Sequence, residues 1–305
     1  MERKAIAGLI VVVAIVTIAM LAGCVEEKQM STAEIKEMVL ATAENIDTYQ
    51  FGMNMTQKTL ISNATDETEI TAISSGSGTV DETNKKMKLE MMTTMEMPEK
   101  AKMPETREVK MDIYFINNTL YTKMDMGIPE MPAKWTKMEI PEEYWESQNQ
   151  IDQQMELLNI SKVELLEEEK VSDVDCYVLE LTPDIEKYWE TVMKQEGLGE
   201  LMQSLKQNVS FDIGEMIKEM SLKYWIAKDT KFPVKTETQI KMVMSSADLN
   251  ISETEAEFTM TIDQRANIVF YGYNEPVTIE LPKEAESAVG FPMLPPVNQT
   301  ATTAA

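Results

Sequence analysis

Thioether sulfur is the most abundant chemically distinctive group in this chain. Methionine occurs 26 times in 305 residues, and Met-x-Met pairs stand at 53/55, 95/97, 124/126 and 242/244. Soft thioether donors in pairs can hold Cu(I). Strand alternation gives the same spacing without a metal, because residues two apart share a face, and no histidine or second free cysteine assists. The chain has no histidine at all, which excludes imidazole bases, Ser-His and Cys-His nucleophiles and every His-containing metal site together. The acidic runs Glu167-Glu168-Glu169 and Glu253, Glu255, Glu257 lack the Asp-x-Asp-x-Asp-Gly loop that wraps calcium, and read as solvated faces. Nothing sets two carboxylates in an apolar cleft for acid–base hydrolysis. The expectation is a protein that is not an enzyme, with no catalytic residue, no metal site and no cofactor.

The two cysteines have different settings. Cys176 lies in the strand-like run Val174 to Leu181 and reads as a small buried thiol. Cys24 closes a segment that begins Glu2-Arg3-Lys4 and continues without a charged side chain from Ala5 to Val25, the layout of an export signal. Its ending, Leu21-Ala22-Gly23-Cys24, resembles the lipobox of prokaryotic lipoproteins. That resemblance implies a signal peptide over 1–23, lipid attachment at Cys24 and a short tether over 24–30. An uncleaved membrane helix is the competing reading. Either places the remainder on the extracytoplasmic face of a cell membrane, held through the lipid or the helix. With 52 acidic residues against 28 basic and a net charge of −24, neither nucleic acid nor anionic lipid is an electrostatic partner.

Seven of the thirteen asparagines open an Asn-X-Ser/Thr sequon: Asn54, Asn63, Asn117, Asn159, Asn208, Asn250 and Asn298. Chance predicts roughly two at this serine and threonine content. The excess suggests that glycosylation is used, and with the lipobox it points to an archaeal cell surface.

These groups need elements to position them. Ser31 and Glu34 form a capping box ahead of Ile35, Met38, Val39 and Ile46 at helical spacing. From Tyr49 the period becomes two: Phe51, Met53 and Met55 alternate with Gly52, Asn54 and Thr56. The same alternation places Met87, Leu89 and Met91 on one face, then Met111, Ile113 and Phe115, and, after the Asn117-Asn118 turn, Leu120 and Met124. Pro141 opens a helix carrying Ile151, Met155 and Leu158. Strands at about 162–170 and 173–182 follow, then a second helical region from Ile185 to Leu205. Strands resume near 216, with Ile240 and Met242 facing inward, and a last strand holds Phe258, Met260 and Ile262. The fold class is α+β: one curled antiparallel sheet of about ten strands, with helices covering its concave face over 31–285. Residues 286–305 read as a disordered low-complexity tail.

The segment Leu222 to Lys235, in which an aromatic strand runs into an Asp-x-x-x-x-Pro-Val turn, resembles the strand-turn-strand of the lipoprotein carriers related to LolA and to the mycobacterial LppX-type lipoproteins. The closing run Phe270 to Pro282 is similar to the end of that domain. The resemblance implies an unclosed β-barrel whose concave face holds acyl chains or another apolar ligand, with no catalytic residues. Flexible methionines can line such a cavity or fill it. The expected function is therefore a tethered carrier or binder of a hydrophobic ligand, lined by Phe51, Met53, Met55, Met87, Leu89, Met91, Met111, Ile113, Phe115, Leu120, Met124, Ile240 and Met242. A cell-surface interaction module with a filled core is the alternative.

Overall fold

The computed structural model describes residues 30–98, 106–128, 131–140, 145, 150–187, 213–248 and 257–290. The export segment, Cys24, most of the second helical region, Asn208, Asn250, Asn298 and the chain from 291 onward lie outside the described residues. Two compact units divide the chain, Met1–Ile35 and Lys36–Ala305.

Ser31 starts helix α1 (Thr32–Ala43) through the capping box the sequence predicts. The Ser31 amide donates to Glu34 Oε2 at 2.8 Å, and the Glu34 amide donates to Ser31 Oγ at 3.3 Å. Two of the helix's otherwise unpaired amides are thereby satisfied.

The second unit is built on one sheet. Its strands are β1 (Thr48–Asn63), β2 (Glu67–Asp81), β3 (Lys86–Glu96), β4 (Thr106–Ile116), β5 (Thr119–Asp125), β6 (Trp135–Glu139), β7 (Ser161–Leu165), β8 (Glu169–Val171), β9 (Val174–Pro183), β10 (Ile217–Ala227), β11 (Pro233–Ser245), β12 (Phe258–Tyr271) and β13 (Val289–Gly290). Helix α2 (Gln150–Ile160) and a short turn of helix, α3 (Ile213–Met216), interrupt the meander. The spatial order is β13-β6-β5-β4-β3-β2-β1-β12-β11-β10-β9-β7, with β8 also on β9. All pairs are antiparallel except β13 with β6. The path ends at β13 on one side and β7 on the other, so the sheet is unclosed, and the twist of so many strands curls it.

Among the described residues thirteen strands stand where about ten are expected, and the main addition is β2. Its sequence, Glu67 to Asp81, is rich in serine and glycine and lacks apolar alternation. It is held as a strand because β1 and β3 bond it along both edges. The last long strand also runs further than expected, from Phe258 to Tyr271, and pairs β1 along its whole length. Across the expected boundary at 285, a 3-10 turn (Lys283–Ser287) leads into β13. The turns follow their chemistry. Asn117 and Asn118 both take positive φ, 52° and 57°, which suits the right-handed twist of the β4–β5 hairpin.

The sheet buries its two faces unequally. One end of the inner face is packed shut by Tyr49, Phe51, Val80, Phe115, Leu179, Leu181, Leu222 and Tyr224. Helix α2 closes over that end, where Tyr224 Oη donates to the Gln154 carbonyl at 3.3 Å. Lys36 Nζ donates to the Asn159 and Ser161 carbonyls at 2.8 and 3.1 Å, serving carbonyls at the helix C-terminus. On the outer face two patches are covered. Tyr114 and Trp135 pack beneath Ile279, Ala285 and Ala288, and Cys176, Val178 and Trp225 pack beneath Leu166 and Val171.

Candidate functional site

The strand register sets the expected lining residues side by side. Across six strands one row reads Ile268, Met53, Gly76, Met91, Met111 and Met124, each the Cα partner of the next. At about 4.8 Å between strands this row is about 24 Å long. The row on one side of it is Phe270, Phe51, Gly78, Leu89, Ile113 and Thr122. The row on the other is Ala266, Met55, Ser74, Thr93 and Val109. Ile240 and Met242 join the same face through Gln264 and Ile262 of β12. All thirteen residues predicted to line a ligand therefore lie on one face.

They are not equivalent. Phe51, Met87 and Phe115 are buried in the packed end and form its core. Met53, Met55, Leu89, Met91, Met111, Ile113, Leu120, Ile240 and Met242 are half-buried, and Met124 is exposed. The face thus changes along the strands from filled to partly open, and the change begins between the Phe51 row and the Met53 row.

Strand β2 forms the floor. Its inner positions are Gly78, Gly76, Ser74 and Ala72, and the larger neighbours lean over them. A Cβ at Gly78 would meet the Phe51 ring at 2.3 Å, and one at Gly76 would meet the Glu90 carbonyl oxygen at 2.7 Å and Met53 Cγ at 3.4 Å. Ser74 is 2 % exposed and its Oγ lies 2.8 Å from Thr93 Oγ1, so the one hydroxyl pair on this floor is satisfied internally. What remains is a half-buried, mainly apolar face rich in unbranched thioethers, which repack at low cost around varied shapes.

Two ionisable groups next to the packed end have shifted equilibria. Glu82 sits in the β2–β3 turn, where burial first, and then the nearby Asp152 charge, push its carboxyl up to about 7. The hydrogen bond from Trp145 opposes the shift, and Asp81 adds to it. Trp145 Nε1 donates to Glu82 Oε2 at 3.1 Å, and its ring lies 5.1 Å from that of Phe115. The Tyr273 hydroxyl, buried beside Tyr49, is held protonated well above its ordinary range and donates to the Pro233 carbonyl at 2.7 Å. Among the described residues no group of three or more acidic or thiol side chains is placed to hold a metal ion, and no helix is long and apolar enough to cross a membrane.

Trp135 and Trp225 belong to the covered patches of the outer face, and Trp225 Nε1 donates to Glu169 Oε2 at 2.9 Å. Of the sequons, Asn54, Asn63, Asn117 and Asn159 are described, and all four are exposed.

No curated protein sequence matches the chain. Among solved structures it is similar to the lipoprotein LppX of Mycobacterium tuberculosis, at 9 % identity and a TM-score of 0.37, over 82 % of this chain and 100 % of that one. It is also similar to a putative outer membrane lipoprotein-sorting protein domain from Vibrio parahaemolyticus, at 11 % identity and a TM-score of 0.25, over 80 % and 93 % of the two chains. A third similarity is to the MucA/MucB complex of Pseudomonas aeruginosa, at 10 % identity and a TM-score of 0.30, over 82 % and 62 %. Residues 31–289 match the family described as a family of unknown function, DUF6612, and the chain belongs to that family.

Proposed function

We propose that this protein is a non-catalytic, membrane-tethered binder or carrier of a lipid or other hydrophobic ligand, held on the inner face of its sheet. The carrying observation is the half-buried row Ile268, Met53, Met91 and Met111, running over Gly76 toward Met124. A ligand lying along it exchanges water for thioether and aliphatic contact, worth about 25 cal/mol per Å² of apolar surface covered. Phe51, Phe115 and Tyr224 fill the packed end, so the ligand is confined to the methionine end of the strands. Lipid on Cys24 supplies the tether on the extracytoplasmic side, since a strongly acidic domain is repelled by anionic lipid.

Native mass spectrometry and solvent extraction of the purified chain test this reading. A co-purifying apolar molecule, or stoichiometric uptake of an added one, is the expected result. Absence of both overturns the carrier and leaves a surface module with a filled interior.

A further inference from the structure

The middle of the outer face carries a second feature, independent of ligand binding. Asn54 heads the sequon Asn54-Met55-Thr56 and is exposed near the centre of the sheet. Directly opposite stand Asn267 on β12 and Ser75 on β2, and Gly52 and Thr56 flank it on the same face of β1. A Cβ added at Gly52 would meet nothing within 4 Å, so the space beside the Asn54 amide is open.

Around this small polar ground lie three exposed apolar side chains. Val269, the partner of Gly52, is 38 % exposed; Ile73, the partner of Thr56, is 47 % exposed; Met92, beyond Ser75, is 42 % exposed. Val269 and Ile73 occupy diagonal positions about 7–8 Å from Asn54, and Met92 lies about 10 Å away across two strand spacings. One or two sugar rings on the Asn54 amide span these distances. The whole sequence adds an independent argument, because seven sequons stand where roughly two are expected.

We propose that Asn54 is an N-glycosylation site whose glycan lies over Ile73, Met92 and Val269. The transfer joins Asn54 Nδ2 to the anomeric carbon of a lipid-linked oligosaccharide donor. The bond between that carbon and the donor's phosphate oxygen breaks, the lipid phosphate or pyrophosphate leaves with the bonding pair, and one Nδ2 proton passes to a base of the transferase. β1 is hydrogen-bonded along both edges, so transfer precedes assembly of the sheet, while the sequon is still free chain. The C–H faces of the sugars then cover apolar surface that no described element covers.

The test is peptide mass spectrometry of the full chain purified from its own host, alongside Thr56→Ala and Thr56→Ser variants made in the same host. The native chain and Thr56→Ser, which keeps a sequon, are expected to carry a hexose or hexosamine mass ladder on the Asn54 peptide. Thr56→Ala is expected to lose that ladder entirely and to bind more of an apolar dye than the glycosylated chain. Bare Asn54 in the native chain overturns the site. A glycan whose loss in Thr56→Ala leaves dye binding unchanged overturns the shielding role.

Discussion

The Phe51 ring occupies the volume that a side chain at residue 78 would need. The two residues are Cα partners across β1 and β2, and a Cβ on Gly78 would stand 2.3 Å from Phe51 Cζ and 2.4 Å from Cε1. The ring cannot yield, because it is fully buried with its centroid 6.2 Å from that of Tyr49 and 6.4 Å from that of Phe270. Gly78→Ala should therefore lose about 2–4 kcal/mol of stability in chemical denaturation, as overpacking of a fixed core does. Gly52→Ala, on the open outer face of the same sheet, is the control and should change stability by less than about 1 kcal/mol. Equal effects at the two positions would dismiss the packing account.

Glu82 should make the protein more stable in mild acid than in mild base. Its folded-state carboxyl holds its proton up to about 7, whereas the unfolded chain releases it near the ordinary glutamate value of about 4.3. Between those limits the folded state binds more protons, so stability is complete at low pH and falls as pH rises through about 7. Part of the side chain remains in contact with water, which reduces the effect to about 1–2 kcal/mol. The window is clean because the chain has no histidine to titrate there. Denaturation at pH 5 and pH 8 should show that loss, and Glu82→Gln should remove most of it. An unchanged loss in the variant would place its origin elsewhere.

Cys176 should be chemically silent in the folded protein. It is fully buried beneath Leu166 and Val171, its Sγ donates to the Val174 carbonyl at 3.4 Å, and burial raises the thiol above its usual range. The thiolate is the reactive species. In a Cys24→Ser chain, a thiol reagent should find no fast-reacting group under native conditions and one equivalent after denaturation. Rapid native reaction would show that the β8–β9 cover opens readily.

The elements that the sequence announces are those buried on one side. In β1, β3 and β4 the inner positions are mainly apolar and the outer ones mainly polar, so period two shows in the residues. Strand β2 is silent because its inner positions must be small: Phe51 and Met53 of the neighbouring strand fill the space above Gly78 and Gly76. Its apolar content is supplied by β1, and no pattern within Glu67–Asp81 expresses that. The pairing of β1 with β12 joins Gln50 to Tyr271, a closure across most of the chain that no local signal carries. The Trp225 patch is equally hidden, because only the fold brings Leu166 and Val171 over Cys176, Val178 and Trp225. Glu82 reads as an ordinary turn residue. Only the arrival of Trp145 and Asp152 from distant sequence changes its chemistry.

Met91 and Met92 are adjacent in sequence and face opposite sides of β3, which allows the proposed ligand face to be tested with nearly identical substitutions. Met91 is half-buried in the row between Gly76 and Met111, and Met92 is exposed on the outer face opposite Ser75. Replacing either by glutamine keeps the length of the side chain and exchanges a thioether for an amide. On the inner face the amide would lose its water to a bound apolar molecule with no partner offered in return, which costs about 1–2 kcal/mol. Titration with Nile red, an uncharged apolar dye, should therefore weaken about 5–30-fold for Met91→Gln and comparably for Met111→Gln. Met92→Gln should bind as the unaltered chain does, and all three should unfold at similar denaturant concentrations because none of these positions lies in the packed end. If Met92→Gln weakens binding as much as Met91→Gln, the dye is not on the inner face, and the methionine row loses its claim to be the site.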